Sequence, residues 1–237
     1  TNIEQEFTQK FYDYIVDTIV ESNAQYIGIT VFSVFTHKPT VELLMRLKER
    51  GLSDRVLLGG RGLTTTVFDT VEEFLPLTDE ERELDFVDVL KRYQLVSNTV
   101  LGDGEDAVLD FLKTGHTTTQ KYVTDIKKMH YPDYSDYKID QYLWANNLPH
   151  MLVTGSAGCV RDCDFCDVNK QFGRFRFKDG TQLAEELIYL QGQYKVNKFL
   201  LTDSLSNGGM KPFTAFLTRL AEYNSQASHP ITWSGQY

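Results

Sequence analysis

Two hydrophobic rhythms alternate along the first half of the chain. Phe7, Phe11, Ile15 and Ile19 recur every four residues and predict one face of an opening helix. Tyr26-Ile27-Gly28-Ile29-Thr30-Val31-Phe32-Ser33 then reads as a buried strand, because it is β-branched, aromatic and uncharged. Pro39 predicts the first turn of a second helix, Leu43, Leu44 and Leu47 its apolar face, and Gly51 its end. Arg55-Val56-Leu57-Leu58-Gly59-Gly60 is a second strand running into a glycine turn. A helix over 79–91, a strand over 95–101 and a helix over 105–113 closed by Gly115 follow. Strand–helix alternation of this kind predicts a parallel sheet wrapped by helices.

From 116 to 148 the rhythm stops. Tyr131-Pro132-Asp133-Tyr134-Ser135-Asp136-Tyr137 has no sustained period, and five Tyr between 122 and 142 predict a linker that packs on a surface. A second alternation starts at His150. Met151-Leu152-Val153-Thr154 is a short strand ending at Gly155, and Asp179 caps a helix with Leu183, Leu187, Ile188 and Leu190 inward. Lys198-Phe199-Leu200-Leu201-Thr202 is the next strand. Pro212 opens a helix striped by Phe213, Phe216, Leu217 and Leu220, and Ile231-Thr232-Trp233-Ser234 is a third strand. The expected organisation is therefore an α/β domain over 1–115, a linker over 116–148 and a second α/β domain over 149–237. No internal repeat or low-complexity tract interrupts it.

Charge narrows the choice of partners. With 33 acidic and 24 basic side chains, the formal net charge of −9 repels phosphate backbones, so a general grip on nucleic acid is not expected. No stretch approaches the roughly 20 apolar residues that span a bilayer. The start, Thr1-Asn2-Ile3-Glu4-Gln5-Glu6, is acidic and lacks a basic region followed by an apolar core, so no signal peptide is expected. With no initiator Met, the chain is expected to begin inside a longer product.

All three cysteines lie within eight residues, Cys159 to Cys166. An odd number so closely spaced does not make a disulfide framework, and the lack of others fits a reducing, cytoplasmic location. Gly158-Cys159-Val160-Arg161-Asp162-Cys163-Asp164-Phe165-Cys166 sets thiols at spacings of four and three. Each can bind one iron of a [4Fe-4S] cube, and the fourth iron would have no protein thiolate, whereas most such clusters take four. An open metal corner suits inner-sphere chemistry. A strand leads into the loop and a helix follows, so the site is expected at the carboxyl end of a parallel sheet, where α/β folds place ligands. The competing arrangement is a Cys₃His zinc site with His150 in a non-catalytic binding module, although His150 lies nine residues upstream and zinc-ribbon knuckle spacing is missing.

The CxxxCxΦC pattern, with Phe165 before the last Cys, resembles the signature of the radical S-adenosylmethionine (SAM) superfamily. The surrounding residues resemble the subgroup with an N-terminal cobalamin-binding-type domain. The resemblance implies a flavodoxin-like, cobalamin-binding-type parallel sheet fragment followed by the first half of a (β/α)₆ partial TIM barrel. It implies that Cys159, Cys163 and Cys166 ligate iron, that SAM chelates the open iron, and that Phe165 flanks its adenine. One electron from the reduced cluster would then cleave SAM to a 5′-deoxyadenosyl radical that modifies, by methyl transfer or otherwise, a small-molecule substrate. A reducing donor such as a flavodoxin or ferredoxin is the implied partner.

Where family members often carry Gly-Gly-Glu, this chain has Thr202-Asp203-Ser204-Leu205-Ser206-Asn207-Gly208. Asp203 can take the place of the Glu as acceptor for the SAM ammonium, with Thr202 and Ser204 beside it, or the segment simply caps the next helix. Ser234 and Gln236 follow the third strand as further polar contacts to SAM. Arg161, Arg174 and Arg176 can neutralise a cluster or bind a substrate anion, or form a solvated basic face. In the first half, Gly59, Gly60, Gly102 and Gly104 resemble the glycine turns of a cobalamin-binding-type domain, with cobalamin the implied cofactor. The subgroup's cobalt-ligating Asp-x-His-x-x-Gly has no match here, since His37 is followed by Lys38-Pro39.

Overall fold

A computed structural model describes residues 2–117, 123–139, 141 and 150–237, in two compact units, Thr1–Thr124 and Asp125–Tyr237. Part of the expected linker, 118–122, 140 and 142–148, lies outside the described residues, as does 149, the first residue of the expected second domain. From Asp125 onward the linker's described part belongs to the second unit.

The first unit is built on three parallel strands in the order β1 (Ile27–Thr30), β2 (Val56–Gly59), β3 (Asn98–Thr99). Ile27 stands opposite Val56, and Leu57 opposite Asn98. Four helices accompany them: α1 (Asn2–Ser22), α2 (His37–Glu49), α3 (Phe86–Arg92) and α4 (Gly104–Thr114). Strand alternation divides the apolar load. Val56 and Leu58 join Val31, Val41, Leu44, Leu47, Phe86 and Leu90 in one cluster, while Leu57 meets Val100, Ala107 and Phe111 in another. An apolar residue at every position of β2 therefore reports a strand covered on both sides.

Three expectations change here. The face of α1 is rolled, so that Tyr12 and Val16 are buried while Phe7 and Phe11 are 71% and 51% exposed. Ion pairs accompany the roll: Arg46 of α2 meets Asp13 at 2.7 Å, Arg50 meets Asp17 at 3.1 Å, and the Arg46 guanidinium lies over the Tyr12 ring. The helix expected over 79–91 begins only at Phe86. Residues before it are engaged otherwise: Val67 N–H donates to Leu84 O, Phe86 N–H to Thr65 O, and Thr78 donates twice to the Glu81 carboxylate. The strand expected over 95–101 narrows to Asn98–Thr99.

The second unit holds a parallel sheet in the order β4 (Met151–Val153), β7 (Lys198–Leu201), β8 (Thr232–Ser234). Between β4 and β7 lie β5 (Ser156–Ala157), α5 (Val168–Phe172), β6 (Arg176–Phe177) and α6 (Gly180–Tyr194); α7 (Met210–Asn224) precedes β8. The Asp179 carboxylate accepts from the N–H groups of Thr181 and Gln182, the expected cap of α6. Leu183, Leu187 and Leu190 of α6 pack with Phe216 and Leu220 of α7 and with Met151, Val153, Phe199 and Leu201 of the strands. Burying each such side chain contributes roughly 1.5 to 3 kcal/mol. Leu217, expected in the α7 stripe, stays partly exposed. Tyr134 and Ile139 pack on this core, and Tyr134 N–H donates to the Tyr194 hydroxyl at 2.7 Å. The antiparallel pair β5–β6 is an element that hydrophobic rhythm does not announce.

Among the described residues no helix is long and apolar enough to cross a membrane.

Candidate functional site

The three cysteines occupy the loop between β5 and α5, beyond the carboxyl end of β4. All three thiols are free; Cys159 and Cys163 are half-buried and Cys166 is exposed. Phe165 is 93% exposed. A turn closed by Cys166 N–H to Cys163 O, 2.9 Å, shapes the far end of the loop. At the near end, Asn169 of α5 acts from both sides of its amide: Oδ1 accepts from Cys159 N–H at 3.1 Å, and Nδ2 donates to Arg161 O at 2.6 Å. Arg161 N–H then points at Cys159 Sγ, 3.4 Å away. Gly158, at φ +78°, lets the chain pass so close to the segment that follows α5 that a Cβ there would stand 2.7 Å from Gly173 O.

The loop's root is held from below. Asp203, just past β7, accepts through one oxygen from the N–H groups of Gly155 (2.8 Å) and Ser156 (2.9 Å). Burial pushes its carboxyl above the usual range, against the opposing pull of those N–H donors and of the Lys178 charge. Lys178 is itself buried and paired with Glu186 at 2.6 Å. Burial also pushes Glu186 up, and the ammonium opposes it. Glu186 thus pairs directly with this buried cation, while Asp203 feels only its charge. A charge removed from water is tolerated only when paired and hydrogen-bonded, which is the condition here.

Other expected site residues lie around the strand ends. Thr202, Ser234 and Gln236 are exposed and Ser204 is half-buried. The Thr202 hydroxyl lies 3.0 Å from that of Thr154 at the end of β4, and Gln236 O accepts from Ser206 N–H at 2.8 Å. Carboxyl ends of adjacent strands thereby form one polar edge. Arg161 and Arg174 are exposed and Arg176 is half-buried, donating to Phe172 O.

Three thiols as a donor set suit iron or zinc chemically. Among the described residues, however, no three His, Cys, Asp or Glu side chains stand together as a ready metal site, and His150 does not join the cysteines into one. Metal binding has to draw the sulfurs of this one loop together.

In the first unit, Gly60 and Gly62 answer to backbone contact. Gly60 sits at φ +105° where a Cβ would lie 2.4 Å from Val31 O, and Gly62 N–H donates to Val31 O at 2.9 Å. Gly59 ends β2, Gly102 has φ +90°, and Gly104 opens α4 with open space around it. Asp103 accepts from Thr124 N–H at 2.8 Å. His37 is fully buried and stacked on Phe86. Its Nδ1 accepts from Phe68 N–H at 3.3 Å, which leaves Nε2 as the donor to Gly62 O at 2.8 Å. Burial pushes its pKa down. With both ring nitrogens engaged, His37 does not fit the part of a metal ligand.

Asn169, Lys178 and Glu186 carry no motif that marks them in the sequence. The nearest signal is Glu186, an acid among the apolar residues that α6 turns inward, with Lys178 just before the helix.

No family model matches the chain, and no curated protein does. Among the solved structures that share its fold are two of the radical S-adenosylmethionine methyltransferase TsrM from Kitasatospora setae. The complex with tryptophan substrate and the SAM analogue aza-SAM aligns with a TM-score of 0.64 at 15% identity, covering 96% of this chain and 46% of the other. The form with cobalamin and a [4Fe-4S] cluster aligns with a TM-score of 0.59 at 16% identity, covering 96% and 48%. The chain therefore spans about half the length of those proteins. At this identity the likeness shows a common fold: α/β, with parallel sheets and helices.

Proposed function

We propose that the chain is part of a radical SAM enzyme, with a cobalamin-binding-type α/β unit followed by the first strands of a partial TIM barrel. The observation that carries this reading is a loop with three free thiols at spacings of four and three, beyond the carboxyl end of a parallel strand. The fold shared with a radical SAM methyltransferase supports it.

Cys159, Cys163 and Cys166 would hold a [4Fe-4S] cluster. Such a cluster, when bound and reduced, supplies the electron for reductive cleavage of SAM. Around it, Asn169 fixes the backbone on both sides of the first cysteine, and Arg161 N–H aims at its sulfur, a hydrogen bond of the kind that tunes a cluster's potential. Thr202, Ser204, Ser234 and Gln236 present hydroxyl and amide groups along the strand ends, suited to the polar portions of SAM. Phe165 offers an apolar ring to its adenine. The substrate is a small molecule, methylation the favoured outcome, and the electron donor a flavodoxin or ferredoxin.

Cobalamin binding by the first unit rests on the fold likeness alone, because His37 does not fit as a cobalt ligand and Gly60 and Gly62 serve backbone packing. Co-elution of the protein with hydroxocobalamin tests it.

Anaerobic reconstitution with iron and sulfide, followed by spectroscopy with and without SAM, tests the main reading. Iron-dependent absorption whose paramagnetic signal shifts on adding SAM is expected; tight zinc with no cluster would sink it and leave a non-catalytic zinc module. Cys163→Ala is expected to abolish the cluster, and four irons bound by that variant would refute the ligand assignment.

A further inference from the structure

We propose that Asp203 is a positioning residue that ties the carboxyl end of β7 to the root of the thiol loop. The role rests on the site reading above and differs from that of an acid facing SAM. The side chain is at a strand end where ligands usually sit, yet the residue is only 4% exposed. Its Oδ1 is occupied by two successive backbone N–H groups, those of Gly155 and Ser156, where β4 gives way to the loop. Hydrogen bonds to a charged acceptor are the stronger kind, and two on one oxygen fix a short segment in both position and direction.

The same root is gripped from the other side. Lys178 N–H donates to Gly155 O at 2.9 Å. The fit is close enough that a Cβ on Gly155 would stand 2.8 Å from Leu183 Cδ2 and 3.0 Å from Asp203 Oδ2. From this root, Ser156 and Ala157 pair with Phe177 and Arg176, and Cys159 bridges to Arg174. A displacement at Gly155 is therefore carried by paired backbone to the first thiol. At its other end Asp203 is flanked by Thr202 and Ser204, two of the polar strand-end residues. One carboxylate thus spans both halves of the site and keeps their spacing. The two N–H donors, with the Lys178 charge nearby, oppose the cost of burying an anion at this depth.

The test uses the full chain in the metal-free form first. Hydrogen exchange at the Gly155 and Ser156 amides is measured in wild type, Asp203→Ala and Asp203→Asn. The Ala variant is expected to speed both amides at least about tenfold, as the loss of charge-assisted bonds implies, while Asn, which retains an acceptor oxygen, restores most of the protection. After reconstitution, the Ala variant is expected to bind SAM about tenfold more weakly, as changes to outer-shell partners commonly do, and Asn to recover it. Weaker SAM binding with wild-type exchange at both amides would overturn the proposal in favour of direct contact. Unchanged exchange and unchanged SAM binding would overturn it outright. Should the Ala variant fail to fold, Asn alone decides, with a few-fold acceleration expected and wild-type exchange overturning the proposal. A wild type that takes up no iron refutes the proposed function, while the metal-free exchange still decides the clamp.

Discussion

The two units solve the same problem in opposite ways. Each has three parallel strands with helices packed on them, and in each a chain segment leaves a strand end into a glycine-bearing turn. In the first unit the exit of β2 folds back on β1: Gly60 and Gly62 lie against Val31, and His37 satisfies both nitrogens on backbone. Polar groups there are used up in closing the structure. In the second unit the exit of β4 leads to a loop pinned by side chains from outside it, Asp203 beneath and Asn169 beside. Its own thiols are left free. The difference teaches that a strand end becomes a candidate site when the backbone is anchored by its neighbours, so that the loop's own side chains are not consumed in anchoring it.

Removing one partner of the buried pair attacks the second unit most strongly. Glu186→Ala leaves the Lys178 ammonium unpaired at 3% side-chain exposure and is expected to cost about 3 to 5 kcal/mol in chemical denaturation. The double change Lys178→Met with Glu186→Leu is expected to recover most of that loss; if it does not, the pair does more than neutralise itself. For the first unit the matching probe is Gly60→Ala, which combines a backbone region hostile to L side chains with a clash on Val31 O. It is expected to cost about 2 to 4 kcal/mol. A neutral result would show that this turn is more open than the loop it is compared with.

Smaller effects sharpen the contrast. His37 has a pKa below its ordinary value, so the folded state binds fewer protons than the unfolded chain between that lowered value and about 6.5. Its contribution is therefore full above about pH 6.5 and is lost as the pH falls below it, at no more than about 1.4 kcal/mol per pH unit. The stability gap between wild type and His37→Asn is expected to narrow on acidification from pH 7.5 to 5.5; a constant gap means that the imidazole does not titrate there. Finally, Asn169→Ala is expected to leave the thermal transition nearly unchanged and to weaken iron uptake about tenfold. Unaltered uptake at limiting iron would show that the loop positions its first thiol without help.

Much of the framework was legible in the residues. Apolar runs marked β1, β2, β4, β7 and β8, and four-residue spacing with caps marked α2, α4, α6 and α7. The thiol loop was legible too, because cysteine is rare and its spacing is covalent. Periodicity misled over 79–85, where Thr78 ties a short turn at Glu81 and Leu84 to Phe86 pair with Thr65 to Val67. It also misplaced the face of α1, where Tyr12 and Val16 are buried and, of the expected four, Ile19 packs on the core while Phe7 and Phe11 are exposed.

By itself the sequence determined most of the strands and helices and where three sulfurs are concentrated, since those follow from local spacing. Tertiary structure alone decided that Asp203 turns to the backbone of Gly155, that Asn169 brackets Cys159, and that Lys178 and Glu186 meet out of water. Such partners are joined by single hydrogen bonds across 8 to 48 residues of chain, and no local rhythm records them. Only the packing of one element on another brings them within reach.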